Sequence, residues 1–78
     1  MACIQPDGTL SSSGELILLA LRQPGVAEDV ARESGVTLFL VRAGIREFLQ
    51  AGFLEPMGDK FQLTDKGVDA LEGAKEQT

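Results

Sequence analysis

Apolar positions along this chain change their period from one segment to the next. The first block is nearly continuous, Leu16-Ile17-Leu18-Leu19-Ala20-Leu21. A helix apolar on all sides is one buried on more than one side. The preceding Ser12-Ser13-Gly14-Glu15 predicts a capping box, with Ser12 accepting from the first turn and Glu15 reaching back. This first helix is expected to run to about Gln23, where Pro24-Gly25 stops it. The next block, Leu38, Val41, Ile45 and Phe48, recurs at spacings of three, four and three, the stripe of an amphipathic helix, and Leu49 widens it. Beyond Gly52 the pattern changes again. Phe53-Leu54-Glu55-Pro56-Met57 and Phe61-Gln62-Leu63 predict two short strands around a tight turn at Gly58-Asp59-Lys60.

Punctuation residues fill in the remainder. Val26 suits a short strand or bridge. A second helix is expected over Ala27–Ser34, with Glu28 and Asp29 in the first turn, where they suit the helix dipole. Gly35 then supplies a left-handed C-cap. Thr37 caps a third, longer helix reaching about Ala51 and closed by Gly52. Gly44 lies inside that helix, where glycine costs up to roughly 1 kcal/mol relative to alanine, so it marks close packing against a neighbour. Pro56 has to occupy a strand position that needs no ladder donor. Thr64 caps a last helix with Asp65 in its first turn and Val68 and Leu71 facing inward. The expected organisation is a leader over residues 1–11 with a turn at Pro6-Asp7-Gly8, a domain over 12–73, and a polar tail over 74–78 that frays from Gly73.

Composition narrows the function classes. Seventy-eight residues make one domain, near the lower limit for an unaided core. The net charge of -5 disfavours nonspecific attraction to nucleic acids or anionic membranes, although a local basic face is compatible with an acidic body. With one cysteine, Cys3, near the chain end, and no histidine, neither an internal disulfide nor a metal site is expected. The usual nucleophile and base pairs of an enzyme are missing too. Gly58, Gly67 and Gly73 are isolated, so no phosphate loop and no cofactor are expected. The longest apolar run is far short of the ~20 residues that span a bilayer, and no secretory signal is evident. The expectation is a non-enzymatic cytoplasmic protein without a membrane partner.

The predicted order is helix, helix, tight turn, helix, hairpin, helix. In Val30-Ala31-Arg32-Glu33-Ser34-Gly35-Val36-Thr37-Leu38-Phe39-Leu40-Val41, Ala31 is small enough for two helices to approach, Gly35 makes the turn, and Val36 and Val41 plug the core. Two further segments are Ile45-Arg46-Glu47-Phe48-Leu49-Gln50-Ala51-Gly52-Phe53-Leu54-Glu55 and Phe61-Gln62-Leu63-Thr64-Asp65-Lys66-Gly67. From about Gly14 to Leu71 the chain resembles the winged helix-turn-helix superfamily of small transcription regulators. The first of those segments looks like the end of a recognition helix entering a wing, and the second like the entry to a final helix. A bulky apolar residue is common where this chain has Gly44, and Ile45 is expected to take over its role. The resemblance implies a mainly α fold with a small β-hairpin (α+β): a three-helix core, a wing and a C-terminal helix.

It also implies a third helix in the major groove of double-stranded DNA and a wing on the backbone or in the minor groove. At about 100° per residue, Phe39, Ala43, Arg46 and Gln50 lie opposite the core stripe, with Arg42 at its edge. Arg42 and Arg46 are placed to reach phosphates or a guanine edge, Lys60 sits at the wing tip, and Thr37 offers a hydroxyl. Against this stand solvated arginines, Arg42 pairing with an acid such as Glu47. Asp59 and Glu55 partly cancel the wing's charge, and an apolar helix start, Thr37-Leu38-Phe39-Leu40, replaces the usual polar one. The rival class is a protein-interaction module anchored on Phe39 and Leu40. Leu16 and Leu19 form a candidate homodimer face, unless residues 1–10 bury them with Ile4 packing there.

Overall fold

The computed structural model describes residues 3–5 and 8–76; Pro6 and Asp7 of the expected leader turn, and the last two residues of the expected tail, lie outside it. The elements run α1 (Ser12–Ala20), α2 (Ala27–Ser34), α3 (Leu38–Ala51), β1 (Leu54–Met57), β2 (Lys60–Leu63) and α4 (Asp65–Glu76). The order is the one the periodicity predicts, and α2 has the predicted bounds.

Local chemistry sets most of the boundaries. The Thr37 hydroxyl accepts from the Leu40 N–H at the start of α3. Gly35 and Gly52 close α2 and α3 at φ 75° and 84°, left-handed values that cost a residue with a Cβ far more. Thr64 does two jobs. Its hydroxyl accepts from the Gly67 N–H, capping α4, and donates to the Gly52 carbonyl at 2.6 Å, tying that helix to the end of α3. Gly67 is required there, because a Cβ would overlap the Phe53 carbonyl.

Several boundaries differ from expectation. The α1 cap is Ser11, not Ser12: its hydroxyl accepts from the Gly14 N–H, while its own N–H donates to the Cys3 carbonyl at 2.9 Å. That long-range bond fixes the entry one residue early, and Glu15 is then out of register for a reciprocal cap. The helix ends at Ala20 rather than near Gln23, with Leu21 as its cap. The isolated bridge forms at Gly25, paired with Phe61, whereas Val26 is the N-cap of α2. α4 continues through Gly73 to Glu76, further than the polar composition suggests.

The hairpin pairs Leu54 with Leu63, Glu55 with Gln62, Pro56 with Phe61 and Met57 with Lys60. Both backbone hydrogen bonds of Phe61 go to Gly25 on its other side. Pro56 therefore faces a partner that asks for no donor, as its missing N–H demands. Gly58 opens the two-residue loop at φ 64° while Asp59 keeps a negative φ, the arrangement of a type II′ turn.

Ile17, Leu18, Leu21, Val30, Val41, Ile45, Phe48, Phe53, Leu54 and Leu71 form the buried core, and Phe48 and Phe53 stack at 5.9 Å between ring centroids. Val36, Ala31 and Leu49 pack against it. Two expected core positions fall outside. Leu38 is half-buried but not against the cluster, and Val68 is 39% exposed because α4 packs through Gly67, Ala70 and Leu71.

Cys3, although near the chain end and assigned to the leader, is buried in that core. The segment before α1 folds back on itself through an Ile4–Leu10 bridge, and Glu47 of α3 clamps it. The two Glu47 carboxylate oxygens accept from the Cys3 and Ile4 N–H groups at 3.2 and 3.0 Å. Gly14 and Gly44 make the seat. A Cβ on Gly14 would stand 2.5 Å from the Cys3 carbonyl oxygen, and one on Gly44 2.8 Å from both Cys3 Sγ and Ile17 Cδ1. Burial, with the Glu47 charge adding to it, pushes the Cys3 thiol above its ordinary pKa and keeps it protonated.

Candidate functional site

With its inner face closed on the core, α3 turns Phe39, Arg42, Ala43, Arg46 and Gln50 to solvent. Phe39 is 80% exposed, a large unpartnered ring at the helix start. Leu40 beside it is half-buried, so the two are not one equally exposed patch. Lys60 is exposed in the first position of β2, next to the wing turn. Thr37 is exposed, its oxygen engaged as the helix cap at 3.4 Å.

Arg42 does not pair with Glu47, which is committed to the Cys3–Ile4 backbone. Its partner is Glu28 at the start of α2, with Nη2 to Oε2 3.4 Å and side chains 62% and 60% exposed. The fourteen-residue separation hides this pair from any local reading, which saw in Glu28 only a helix-dipole carboxylate. A pair this exposed is worth about 0–1 kcal/mol and breaks easily. Arg46 has no ion-pair partner among the described residues.

Between α3, the start of α2 and the wing lies a groove of about 410 Å³. Arg42 and Arg46 line it from α3, Glu28 from α2 and Asp59 from the wing, with Ile45 and Phe61 among its apolar walls. The groove thus has two cations and two anions within one concave surface. Further along the wing, Glu55 accepts from the Gln62 amide at 3.0 Å. A second opening, of about 660 Å³, lies at the α1–α2 corner beside Arg22, Asp29 and Glu33, with no residue of α3 or the wing in its lining.

The proposed dimer face divides. Leu19 packs against the buried cluster, as do Ile4 and Leu10 of the preceding segment, while Leu16 stays 43% exposed. Among the described residues, no helix is long and apolar enough to cross a membrane.

No protein-family model and no curated protein sequence matches the chain. Among solved structures it is similar to BpsR of Bordetella bronchiseptica, described for the regulation of its DNA binding by 6-hydroxynicotinic acid. The two superpose with a TM-score of 0.77 at 25% sequence identity, over 92% of this chain and 59% of that one. This chain therefore matches less than two thirds of the BpsR chain's length. The three helices around the Gly35 turn, the two-stranded wing on Gly58 and this likeness together give the chain the winged helix-turn-helix fold.

Proposed function

We propose that this domain is a cytoplasmic, non-enzymatic DNA-binding regulator that reads duplex DNA with α3 and steadies it with the wing. The observation that carries the reading is the division of α3. Val41, Ile45 and Phe48 are buried, while Arg42, Arg46 and Gln50 are exposed beside the wing. The fold is shared with a protein whose DNA binding is the subject of its structural work. In this reading Arg46 and Gln50 meet base edges or phosphates, Arg42 and Lys60 meet phosphates, and Thr37 and Phe39 border the contact at the helix start.

Three cations are few. Each phosphate neutralised contributes about -0.9 to the slope of log K against log salt, so one copy gives a slope near -3 at most and binds weakly at physiological salt. Two copies on a palindrome, with recognition helices roughly 34 Å apart, would double the contacts. Fluorescence anisotropy on mixed-sequence duplexes at low and moderate salt tests the reading. Binding at low salt that weakens as salt rises, and drops at least several-fold in Arg46→Ala, is the expected result. No binding at low salt, or binding indifferent to Arg46→Ala, contradicts it.

The exposure of Phe39 favours a second reading, docking of a protein or another copy through that ring. Sedimentation and pull-down profiles of the parent against Phe39→Ser separate the two. Association lost with Phe39→Ser while DNA binding stays absent supports docking, and unchanged profiles remove it.

A further inference from the structure

We propose that Glu28 is a built-in counter-charge. It holds Arg42 in the free protein, a DNA phosphate has to displace it, and it thereby sets the affinity of the domain for any duplex. The proposal rests on the DNA-binding reading above and deepens it. Its basis is the Arg42–Glu28 pair at 3.4 Å, made across fourteen residues between the start of α2 and the middle of α3. Both side chains are more than half exposed and line the groove shared with Arg46 and the wing.

The pair sits where a phosphate oxygen would otherwise lie against the guanidinium. Exposure matters in both directions. A buried pair would lock Arg42 away from any ligand, whereas an exposed one is weak enough to exchange its carboxylate for a phosphate. Glu28 is also left near the DNA after displacement, as is Asp59 across the groove, so both repel the backbone that Arg42 and Arg46 attract. The effect acts on phosphates and not on bases. It weakens all sequences alike, lowers nonspecific trapping, and leaves the ratio between one sequence and another to Arg46 and Gln50.

Glu28→Gln removes the charge while keeping the side chain's length. The control is Glu33→Gln, which makes the same change of net charge on the same helix, at an exposed residue beside the α1–α2 opening rather than the groove. Salt-dependent anisotropy titrations on one mixed-sequence duplex would compare the parent, both variants, and Glu28→Gln combined with Arg42→Ala. Glu28→Gln is expected to raise affinity up to about fivefold at low salt, with a gain that shrinks as salt rises. Glu33→Gln should change affinity less than about twofold with no change of slope. Adding Arg42→Ala should cancel the gain. Binding by Glu28→Gln where the parent is silent also supports the proposal. If the parent binds DNA but Glu28→Gln behaves like Glu33→Gln, the counter-charge idea is overturned and the DNA reading stands. If none of the proteins binds at low salt, both fall together.

Discussion

The two long sides of α3 are built on opposite principles. Toward the α1 entry, Gly44 and Gly14 leave so little room that the Cys3 backbone and thiol fill it, and Glu47 closes the join by accepting two backbone N–H groups. Toward the wing, Arg42, Arg46, Glu28 and Asp59 stand around an open groove, and the one ion pair there is exposed. On the first side, close packing fixes geometry and tolerates no added atom. On the second, charges are held loosely and can change partners. One helix is thus a core element on one side and, in the proposed reading, an interaction surface on the other, with the boundary running between Glu47 and Arg46.

Substitutions on the two sides should separate by size. Gly14→Ala carries the largest effect, because the new Cβ meets the Cys3 carbonyl oxygen, a backbone atom unable to swing aside. A loss of about 2–3 kcal/mol in urea denaturation is expected. Gly44→Ala comes next. Its obstacles are the ends of two side chains, Cys3 Sγ and Ile17 Cδ1, and alanine also gains up to about 1 kcal/mol of helix propensity, so the net loss is about 1–2 kcal/mol. Pairing Gly44→Ala with Cys3→Ala should cost less than the sum of the two single changes, since the second removes one obstacle. At the small end, Arg46→Ala should alter stability by no more than about 0.5 kcal/mol while lowering DNA affinity. A loss of stability in Arg46→Ala comparable to that in Gly44→Ala would erase the distinction between the two sides.

What was legible in the sequence follows the same division. Thr37, Thr64, Gly35 and Gly52 act on neighbours within a few residues, so their capping roles can be read directly from the chain. Pro56 and Gly58 announce the hairpin for the same reason. The stripe of α3 gives Val41, Ile45 and Phe48 correctly, and its reverse gives Phe39, Arg46 and Gln50 as exposed. Gly44 signals a close approach, but not to what.

Four of the misplaced features depend on partners distant in sequence. Ser11 replaces Ser12 as cap because its N–H reaches Cys3. Cys3 is core rather than loose end because Glu47, more than forty residues away, pins its backbone. Arg42 takes Glu28 instead of Glu47, and that exchange decides how many cations the candidate surface has free. Val68 faces solvent because the packing line of α4 starts from Gly67, whose contact with Phe53 is tertiary. Periodicity reports which face of a helix is apolar; it does not report which carboxylate a distant arginine will meet.

Backbone amide shifts, followed while duplex DNA is added at low salt, test the division of α3 most directly. The account predicts changes concentrated on residues 37–50 of the exposed face, on the start of α2 at Glu28 and on the wing around Lys60, with Cys3, Gly14 and Leu71 still. Shifts centred on the segment before α1 or on α4, or none at a DNA concentration well above the protein's, would contradict it.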